Sequence, residues 1–270
     1  MPGERFNSKK KTAASDFTVL KISIITVVLN NSKCVEDCIQ SVIGQTYADV
    51  EYIVVDGGSK DGTLDIIKKY NDKIARRISE PDRGIYDAMN KGIKLSSGDI
   101  VGILNSDDFY VRNDVLSDVM KEFSEKKVDS VFADLLYVNR NNTDRIVRYY
   151  KSSHFAPCKF AYGWMPAHPT FFVRRSCYEK FGLYKTDYKI AADYELLVRF
   201  LGRFRISYSY MPKIIIKMRI GGISTAGLKS NWILNREIIR ACKENDIHTN
   251  IFKVFSKYLV KILQLFERPE

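Results

Sequence analysis

The first half of the chain alternates predicted strands with amphipathic segments, and this alternation limits the folds that are open to it. The predicted strands are residues 22–29, 51–55, 76–80 and 100–104. The segments with helical spacing are residues 33–45, 61–70, 84–95 and 113–123. Strands that alternate with helices form parallel sheets covered on both faces. The sequence therefore predicts an α/β fold with a Rossmann-like, mostly parallel sheet flanked by helices.

Polar residues follow each of the four predicted strands. Asn30 comes after the first strand, Asp56 after the second and Arg83 after the third, while Asp107 and Asp108 follow the fourth. The carboxyl ends of parallel strands meet at one edge of a sheet, and ligands bind there in open α/β folds. We expect these side chains to lie along one ligand-binding edge.

The acidic pair at the end of the fourth strand predicts a cation site. Two adjacent carboxylates repel each other, and burial penalises their charged forms. A divalent cation relieves both effects. Mg²⁺ and Mn²⁺ prefer hard oxygen ligands and are commonly held by one or two carboxylates together with substrate phosphates. Asp107 and Asp108 are therefore the candidate residues for Mg²⁺ or Mn²⁺.

After residue 128 the pattern changes to a smaller α+β portion. Its predicted strands are residues 131–137, 145–150, 170–173, 205–210 and 213–218. Its predicted helices are residues 175–181 and 190–201, and the second carries Asp193 and Glu195. His168 lies in a predicted loop between these elements.

The C-terminal segment 251–266 reads IFKVFSKYLVKILQLF and predicts an amphipathic helix. Lys253, Lys257 and Lys261 recur every four residues and form a basic stripe on a mostly apolar helix. This pattern is typical of helices that lie on anionic membranes. A helix docked on its own domain, or on a second subunit, has the same pattern.

The composition limits the partners and the compartment. The 270-residue chain carries a net charge of +11, which favours anionic partners such as nucleotides or an acidic membrane face. No interleaved aromatic and basic patch supports nucleic-acid binding. The five cysteines show no paired spacing, and neither a secretory signal nor an apolar run of membrane-spanning length is visible. These features predict a cytoplasmic protein, with a peripheral position on the inner face of the cell membrane as a further expectation.

Five motifs carry a resemblance to a known family. They are ISIITVVLNN at 22–31, VEYIVVDGGSKDGT at 50–63, EPDRGIYDAMNKGI at 80–93, GDIVGILNSDD at 98–108 and IAADYELLVRF at 190–200. In this order and spacing, the chain resembles family 2 inverting glycosyltransferases with the GT-A fold, of the bacterial surface-polysaccharide type. The resemblance covers residues 21–226. It implies a flexible tail at 1–19, a GT-A domain at 20–228 with an acceptor-side α+β portion, and a C-terminal helical extension at 229–270.

The resemblance implies roles for the residues near the nucleotide. Val27, Leu29 and Asn30 would lie along the base, with Leu29 offering apolar contact where many relatives carry an aromatic ring. Asp56 would accept the imide N–H of the base. Arg83 would contact phosphate or base, and its alternative is a solvated surface charge.

The resemblance also implies roles at the reacting centre. Asp108 would bind the metal directly, and Asp107 would contact the ribose or a metal-bound water. Asp193 would be the general base, and Glu195 would lie on the helix surface. His168 would be structural or would contact the acceptor, and the glycine-rich segment 221–225 would close over the donor phosphates.

These roles predict a metal-dependent inverting glycosyltransferase. It would move a sugar from a nucleotide-diphosphate sugar, with UDP as the expected nucleotide, to a hydroxyl of a saccharide or lipid-linked saccharide in surface polysaccharide synthesis. One alternative is a nucleotidyltransferase, although no glycine-rich basic loop follows the first strand. A second alternative is a non-catalytic, membrane-docked binding protein with the same fold.

Overall fold

The computed structural model describes residues 20–221 and 228–263. Within these residues the strands β1 to β9 are Ile22–Val28, Val50–Asp56, Arg76–Ser79, Ile100–Ile103, Asp108–Tyr110, Ser130–Val138, Ile146–Tyr150, Phe172–Arg174 and Tyr208–Arg219. The α-helices of the same residues, α1 to α8, are Val35–Ile43, Thr63–Lys68, Ile85–Leu95, Val115–Lys126, Arg175–Phe181, Ala192–Leu197, Leu228–Glu244 and Ile251–Leu263. The predicted tail at 1–19 lies outside the described residues.

The described strands form one nine-stranded sheet, in the order β3-β2-β1-β4-β8-β6-β9-β5 with β7 paired to β6. The first four strands of this order are parallel. Val28 pairs with Asp56 and Asp56 with Ser79, so the carboxyl ends of β1, β2 and β3 lie side by side. The predicted mostly parallel α/β sheet is confirmed.

The centre of the sheet is buried, as its apolar strands predict, whereas β3 and β7 are exposed or half-buried. All seven residues of β1 are buried, with Ile25 and Val27 in one core cluster and Ile22 and Ile24 in the other. α3 lies very close to β1, because a Cβ at Gly92 would stand 2.3 Å from the Ile25 side chain. This close approach holds the first turn of α3 near the carboxyl edge of the sheet.

Two features of the second half differ from the prediction. The strands expected at 205–210 and 213–218 are one continuous strand, β9, and the register of its pairing with β6 shifts between Phe132 and Asp134. Pro212 lies in this stretch, and a proline has no N–H for the ladder, so the pattern looked interrupted. Asp108 begins a short strand, β5, that pairs with β9.

The C-terminal helices pack on the same core as α3 and α6. Ile238 and Cys242 of α7 and Val254 of α8 are buried in that cluster. The predicted basic stripe on α8 is wrong in part: Lys257 is only 3% exposed, while Phe252 is 83% exposed. Lys261 falls among the side chains that the structure leaves undescribed. No helix in the described part of the chain is long and apolar enough to cross a bilayer.

Candidate active site

The carboxyl ends of the parallel strands border a cavity of about 500 Å³. Its walls come from the end of β1, the first turn of α3, the loop before β5 and the segment that leads into α6. The predicted site residues that line it are Val27, Leu29, Asn30, Asp107 and Asp193. The predicted site residues that lie outside its lining are Asp56, Arg83 and Asp108. The structure therefore brings the sheet edge and Asp193 together around one space.

Asp108 follows Asp107 directly and carries a fully buried carboxylate. Among the described residues, neither its Oδ1 nor the Oδ1 of Asn105 has a hydrogen-bond partner. Burial raises the pKa of Asp108 well above its ordinary value, and the nearby charge of Asp107 adds to the rise. Asn105 and Arg219 act in the opposite direction. Among the described residues, Asp108 forms no ion pair that would offset the burial of its charge.

These residues fit a divalent cation. Asp107 lines the cavity, and the unpartnered oxygens of Asn105 and Asp108 lie next to it in the chain. Hard oxygen atoms of this kind are the ligands that Mg²⁺ and Mn²⁺ prefer. Within residues 20–221 and 228–263, no group of three or more acidic, histidine or cysteine residues could hold a metal alone. Substrate oxygens would therefore have to complete the coordination.

Arg219 supports the acidic loop from behind, and no sequence motif indicated it. Its buried guanidinium donates to the backbone carbonyl of Asp107 at 2.8 Å and pairs with Asp37 of α1. It also lies 4.7 Å from the centre of the Phe109 ring. Arg219 thus anchors the loop that carries Asp107 and leaves that carboxylate facing the cavity.

Asp56 shapes the turn after β2. Its buried carboxylate accepts hydrogen bonds from the Ser79 hydroxyl at 2.7 Å and from the backbone N–H groups of Gly58 and Ser59. These bonds explain the burial of a charged group at a strand end. Its predicted contact with the nucleotide base stays a prediction.

Leu29 and Asn30 form the exposed rim of the cavity beside β1. Leu29 is 55% exposed, and Asn30 has a left-handed backbone with φ of 49°. Asn30 donates its N–H to Ser59 and accepts from the N–H of Lys60, which ties the turns after β1 and β2 together. Asparagine tolerates this conformation better than most residues.

The positively charged residues that line the cavity differ from Arg83, the one that the sequence predicted. Arg83 is 85% exposed, lies outside the lining and faces Asp87 at 3.5 Å. Arg140 and Lys189 line the cavity instead. Neither forms an ion pair with a described carboxylate, so both are free to meet an anion. The only sequence signal near Arg140 was the predicted turn formed by the three asparagines around it.

Asp193 reaches the cavity from the first turn of α6. Its Oδ1 accepts the N–H of Tyr194 at 2.7 Å, and its Oδ2 lies 3.2 Å from Nδ1 of His168. His168 begins the 3₁₀ turn His168–Thr170 and also lines the cavity. A carboxylate and an imidazole are therefore juxtaposed within reach of the space that Asp107 borders.

The comparisons with known proteins agree with this arrangement. The family model described as Glycosyl transferase family 2 matches residues 23–182, more than half of the chain. The chain belongs to this family. It is a glycosyltransferase.

Relatives and solved structures extend the family match. A PGL/p-HBAD biosynthesis glycosyltransferase of Mycobacterium bovis is 28% identical over 81% of this chain and 82% of that protein. Staphylococcus aureus TarS 1–349, solved in complex with UDP-GlcNAc, superposes with a TM-score of 0.65 at 19% identity. The match covers 89% of this chain and 72% of the TarS chain. This chain covers 44% of the longer TarS structure.

A second structural neighbour is a mannosyltransferase. The mannosyltransferase PcManGT of Pyrobaculum calidifontis, solved with GDP-Man and Mn²⁺, superposes with a TM-score of 0.58 at 16% identity. The match covers 92% of this chain and 81% of the PcManGT chain. At such identities the likeness to TarS and PcManGT shows the fold alone, and the fold it shows is GT-A. The predicted fold class is confirmed by both.

Glu237 is a residue of this glycosyltransferase that the sequence did not reveal. It lies on α7, and its carboxylate accepts the backbone N–H groups of Lys189, Ile190 and Ala191 at 2.7, 2.9 and 2.9 Å. These three residues lead directly into α6. Glu237 therefore fixes the segment that presents Lys189 and Asp193 to the cavity.

Glu195 was expected on the helix surface, and that expectation is wrong. The side chain of Glu195 is fully buried, and its carboxylate lies 3.0 Å from both Arg199 and Lys185. Asn245 of the α7–α8 connection donates to it at 3.2 Å. The local helical pattern did not show that α7 covers this side of α6.

Replacing Glu195 with alanine is expected to destabilise the glycosyltransferase strongly. The change leaves Arg199 and Lys185 without their shared carboxylate, and breaking a buried ion pair costs about 3–5 kcal/mol. Glu179 pairs with Arg175 at the same helical spacing on the surface, and Glu179→Ala should cost less than about 1 kcal/mol. Denaturant unfolding of both variants measures the difference. Equal losses would contradict the structural role of Glu195.

Of the predicted lid, only Gly221 lies within the described residues, with a left-handed backbone at φ of 109°. The rest of that segment, residues 222–225, lies outside them.

Proposed function

We propose that the protein is a metal-dependent, inverting glycosyltransferase that uses a nucleoside-diphosphate sugar. The observation that carries this proposal is that Asp107 and Asp193 line the same cavity. One belongs to an acidic loop suited to a cation and a diphosphate, and the other is a carboxylate suited to proton transfer. The family assignment stands against both alternatives, the nucleotidyltransferase and the non-catalytic binding protein.

Asp193 would act as the general base. In an inverting transfer, the acceptor hydroxyl attacks the anomeric carbon from the face opposite the leaving group and loses its proton to a carboxylate. Asp193 is mostly buried, yet it lines the cavity, so its carboxylate can reach a bound hydroxyl. The N–H of Tyr194 and the hold of Glu237 on the preceding segment keep it in place.

Asp108 and Asp107 would hold the cation, with Asn105 beside them. A bound Mg²⁺ or Mn²⁺ supplies charge neutralisation for the diphosphate as the glycosidic bond breaks. Arg140 and Lys189 line the same cavity and add positive charge for the leaving group. Arg219 keeps the loop of Asp107 in position from the buried side.

The nucleotide is proposed to be UDP. Val27, Leu29 and Asn30 border the cavity beside the turn that Asp56 shapes, where a small base would contact Leu29 through its face. TarS in complex with UDP-GlcNAc supports this choice, and PcManGT with GDP-Man keeps GDP as the competing candidate.

A donor screen tests the proposal. The protein is incubated with UDP-, GDP- and dTDP-sugars, with and without Mg²⁺ or Mn²⁺, together with simple saccharide acceptors, and released nucleotide is identified by chromatography. Metal-dependent release of a nucleoside diphosphate, with inverted anomeric configuration in the product, is the expected result. Release of pyrophosphate or retained configuration would contradict it.

The acceptor is proposed to be a hydroxyl of a saccharide or lipid-linked saccharide in surface polysaccharide synthesis. The relative named as a PGL/p-HBAD biosynthesis glycosyltransferase supports an acceptor that is a biosynthetic intermediate. A second support is an apolar surface at the start of α8, formed by Ile251, Phe252 and Phe255 and flanked by Tyr162. Lys253 lies 5.7 Å from the Tyr162 ring and adds positive charge at this surface. Such a surface suits the interface of an anionic membrane.

Replacing Phe252 with aspartate is expected to weaken binding to anionic vesicles. Phe252 is exposed, so the change leaves the core intact while it removes an apolar contact and adds a repelled charge. Ile146→Asp, at an exposed apolar residue on β7, is the matched control and should bind like the wild type. Co-sedimentation with vesicles that contain anionic lipid measures both. Equal binding by all three proteins would remove the membrane role from this surface.

A further inference from the structure

His168 differs from the other two histidines of the chain in its surroundings. The chain has three histidines. His154 and His248 are exposed, whereas His168 is part-buried and lines the cavity. Its Nδ1 lies 3.2 Å from Oδ2 of Asp193, which is within hydrogen-bond distance. Within the described part of the chain, its Nε2 forms no hydrogen bond.

The backbone that carries His168 is held by a buried network of hydroxyl groups. The Thr170 hydroxyl lies 2.8 and 2.7 Å from the carbonyl oxygens of Ala133 and Ala167, which compete for its single proton, and it accepts the N–H of Ala133. The Ser152 hydroxyl bridges the same two residues, because it donates to the carbonyl of Ala133 and accepts the N–H of Ala167. Pro169 follows His168 directly and restricts the turn further. These hydrogen bonds therefore fix the backbone that carries the imidazole.

Asp193 is held from the other side. Glu237 binds the three amides before α6, and the hydroxyl of Tyr86 donates to the carbonyl of Ile190 in that same segment. Oδ1 of Asp193 is occupied by the N–H of Tyr194. Two rigidly held segments therefore meet at the approach of His168 to Oδ2, and this approach is the remaining constraint on the carboxylate.

We propose that His168 is a positioning residue for Asp193, which donates Nδ1–H to Oδ2 and holds the carboxylate toward the acceptor hydroxyl. This proposal rests on the proposed function of Asp193 as the base. With Nδ1 protonated and donating, the lone pair of Nε2 in the neutral ring is left to accept a hydrogen bond from a second hydroxyl of the acceptor. The class of ligand is therefore a polyhydroxylated acceptor, with one hydroxyl for Asp193 and another for His168.

The protonation of Nδ1 can be measured without any substrate. Long-range ¹H–¹⁵N spectra of histidine-labelled protein at about pH 8.5, where histidine is ordinarily neutral, report which ring nitrogen carries the proton. Loss of one set of signals in His168→Gln assigns His168 among the three histidines. We expect Nδ1 to be protonated in the wild type and to lose most of its proton to Nε2 in Asp193→Ala, which lacks the acceptor. An unprotonated Nδ1 in the wild type, or spectra unchanged by Asp193→Ala, overturns the proposal.

Kinetics separate positioning from a merely structural role. With the donor identified by the screen, His168→Ala should lower kcat about tenfold or more while donor binding stays unchanged, because a misplaced base slows the chemical step. His168→Gln keeps an amide N–H that can donate to Asp193 and should recover part of kcat. His154→Ala is the control at an exposed histidine. Equal loss in the Ala and Gln variants, or loss of donor affinity in both, contradicts positioning.

These measurements distinguish a failure of the His168 proposal from a failure of the proposed function. A donor screen without turnover would refute the proposed glycosyl transfer but would leave the Nδ1 spectra readable. An unprotonated Nδ1 together with metal-dependent turnover would refute only the role of His168.

Discussion

Replacing Asp108 with asparagine is expected to reduce glycosyl transfer by about a thousand-fold or more. The charge of a bound cation stabilises the leaving diphosphate by several kcal/mol, and each 1.4 kcal/mol is about tenfold in rate. Asp108 is fully buried and, among the described residues, its Oδ1 has no hydrogen-bond partner, so the substitution would remove one of the proposed metal ligands. Metal-dependent nucleotide binding should fall together with turnover, as measured by calorimetry with and without Mn²⁺.

A matched change nearby serves as the control for Asp108. Asp114 lies six residues after Asp108, is exposed and pairs with Arg112. Asp114→Asn should keep both metal dependence and turnover. If Asp108→Asn retained Mn²⁺-dependent nucleotide binding at the wild-type level, Asp108 would not be a metal ligand.

The same substitution should stabilise the metal-free protein at neutral pH. Burial raises the pKa of Asp108, so the folded state binds its proton more tightly than the unfolded state. The stability that this proton contributes is complete below about pH 4, the ordinary range of aspartate, and is lost as the pH rises through the folded-state pKa. Wild type and Asp108→Asn should therefore melt alike in acid and diverge toward neutral pH, with the variant higher. A variant that melts lower throughout would contradict the buried charge.

Replacing Asp193 with asparagine is expected to lower kcat by about 10²–10⁴-fold, the usual contribution of a general base. The amide has the same shape as the carboxylate but accepts no proton from the acceptor hydroxyl. Oδ1 can still accept the N–H of Tyr194, so the first turn of α6 should keep its geometry. Donor binding and metal affinity should be unchanged, which distinguishes this variant from Asp108→Asn.

Asp187 supplies the control for Asp193. It is exposed in the segment before α6 and pairs with Arg240, so Asp187→Asn should affect neither turnover nor donor binding. Steady-state kinetics with the donor found by the screen, followed by calorimetry with its nucleotide, measure these effects. Full turnover by Asp193→Asn would remove Asp193 as the base.

Much of the cavity edge along the parallel strands followed from local patterns. The alternation of strands and helices predicted the parallel sheet, and the polar residues after the strands predicted its ligand-binding edge. Val27, Leu29, Asn30 and Asp107 do line the cavity there. Asp56 and Asp108 are buried at the strand ends and Arg83 faces Asp87, so these three lie outside the lining. The local sequence shows neither how deeply a polar side chain is buried nor which neighbour it meets.

The sequence by itself determined the sheet and its ligand-binding edge, because strand and helix periodicities are local properties. The candidate roles of Asp108 and Asp193 came from the resemblance of its motifs to those of the family. Only the tertiary structure decided what surrounds those two carboxylates. Glu237 meets Ala191 across 46 residues, and Arg219 meets Asp37 across 182. Contacts of this kind arise when distant segments pack against one core, and no local period records them. The approach of His168 to Asp193 has the same origin, since a hydroxyl-bonded turn and a helix held by α7 meet only in the folded chain.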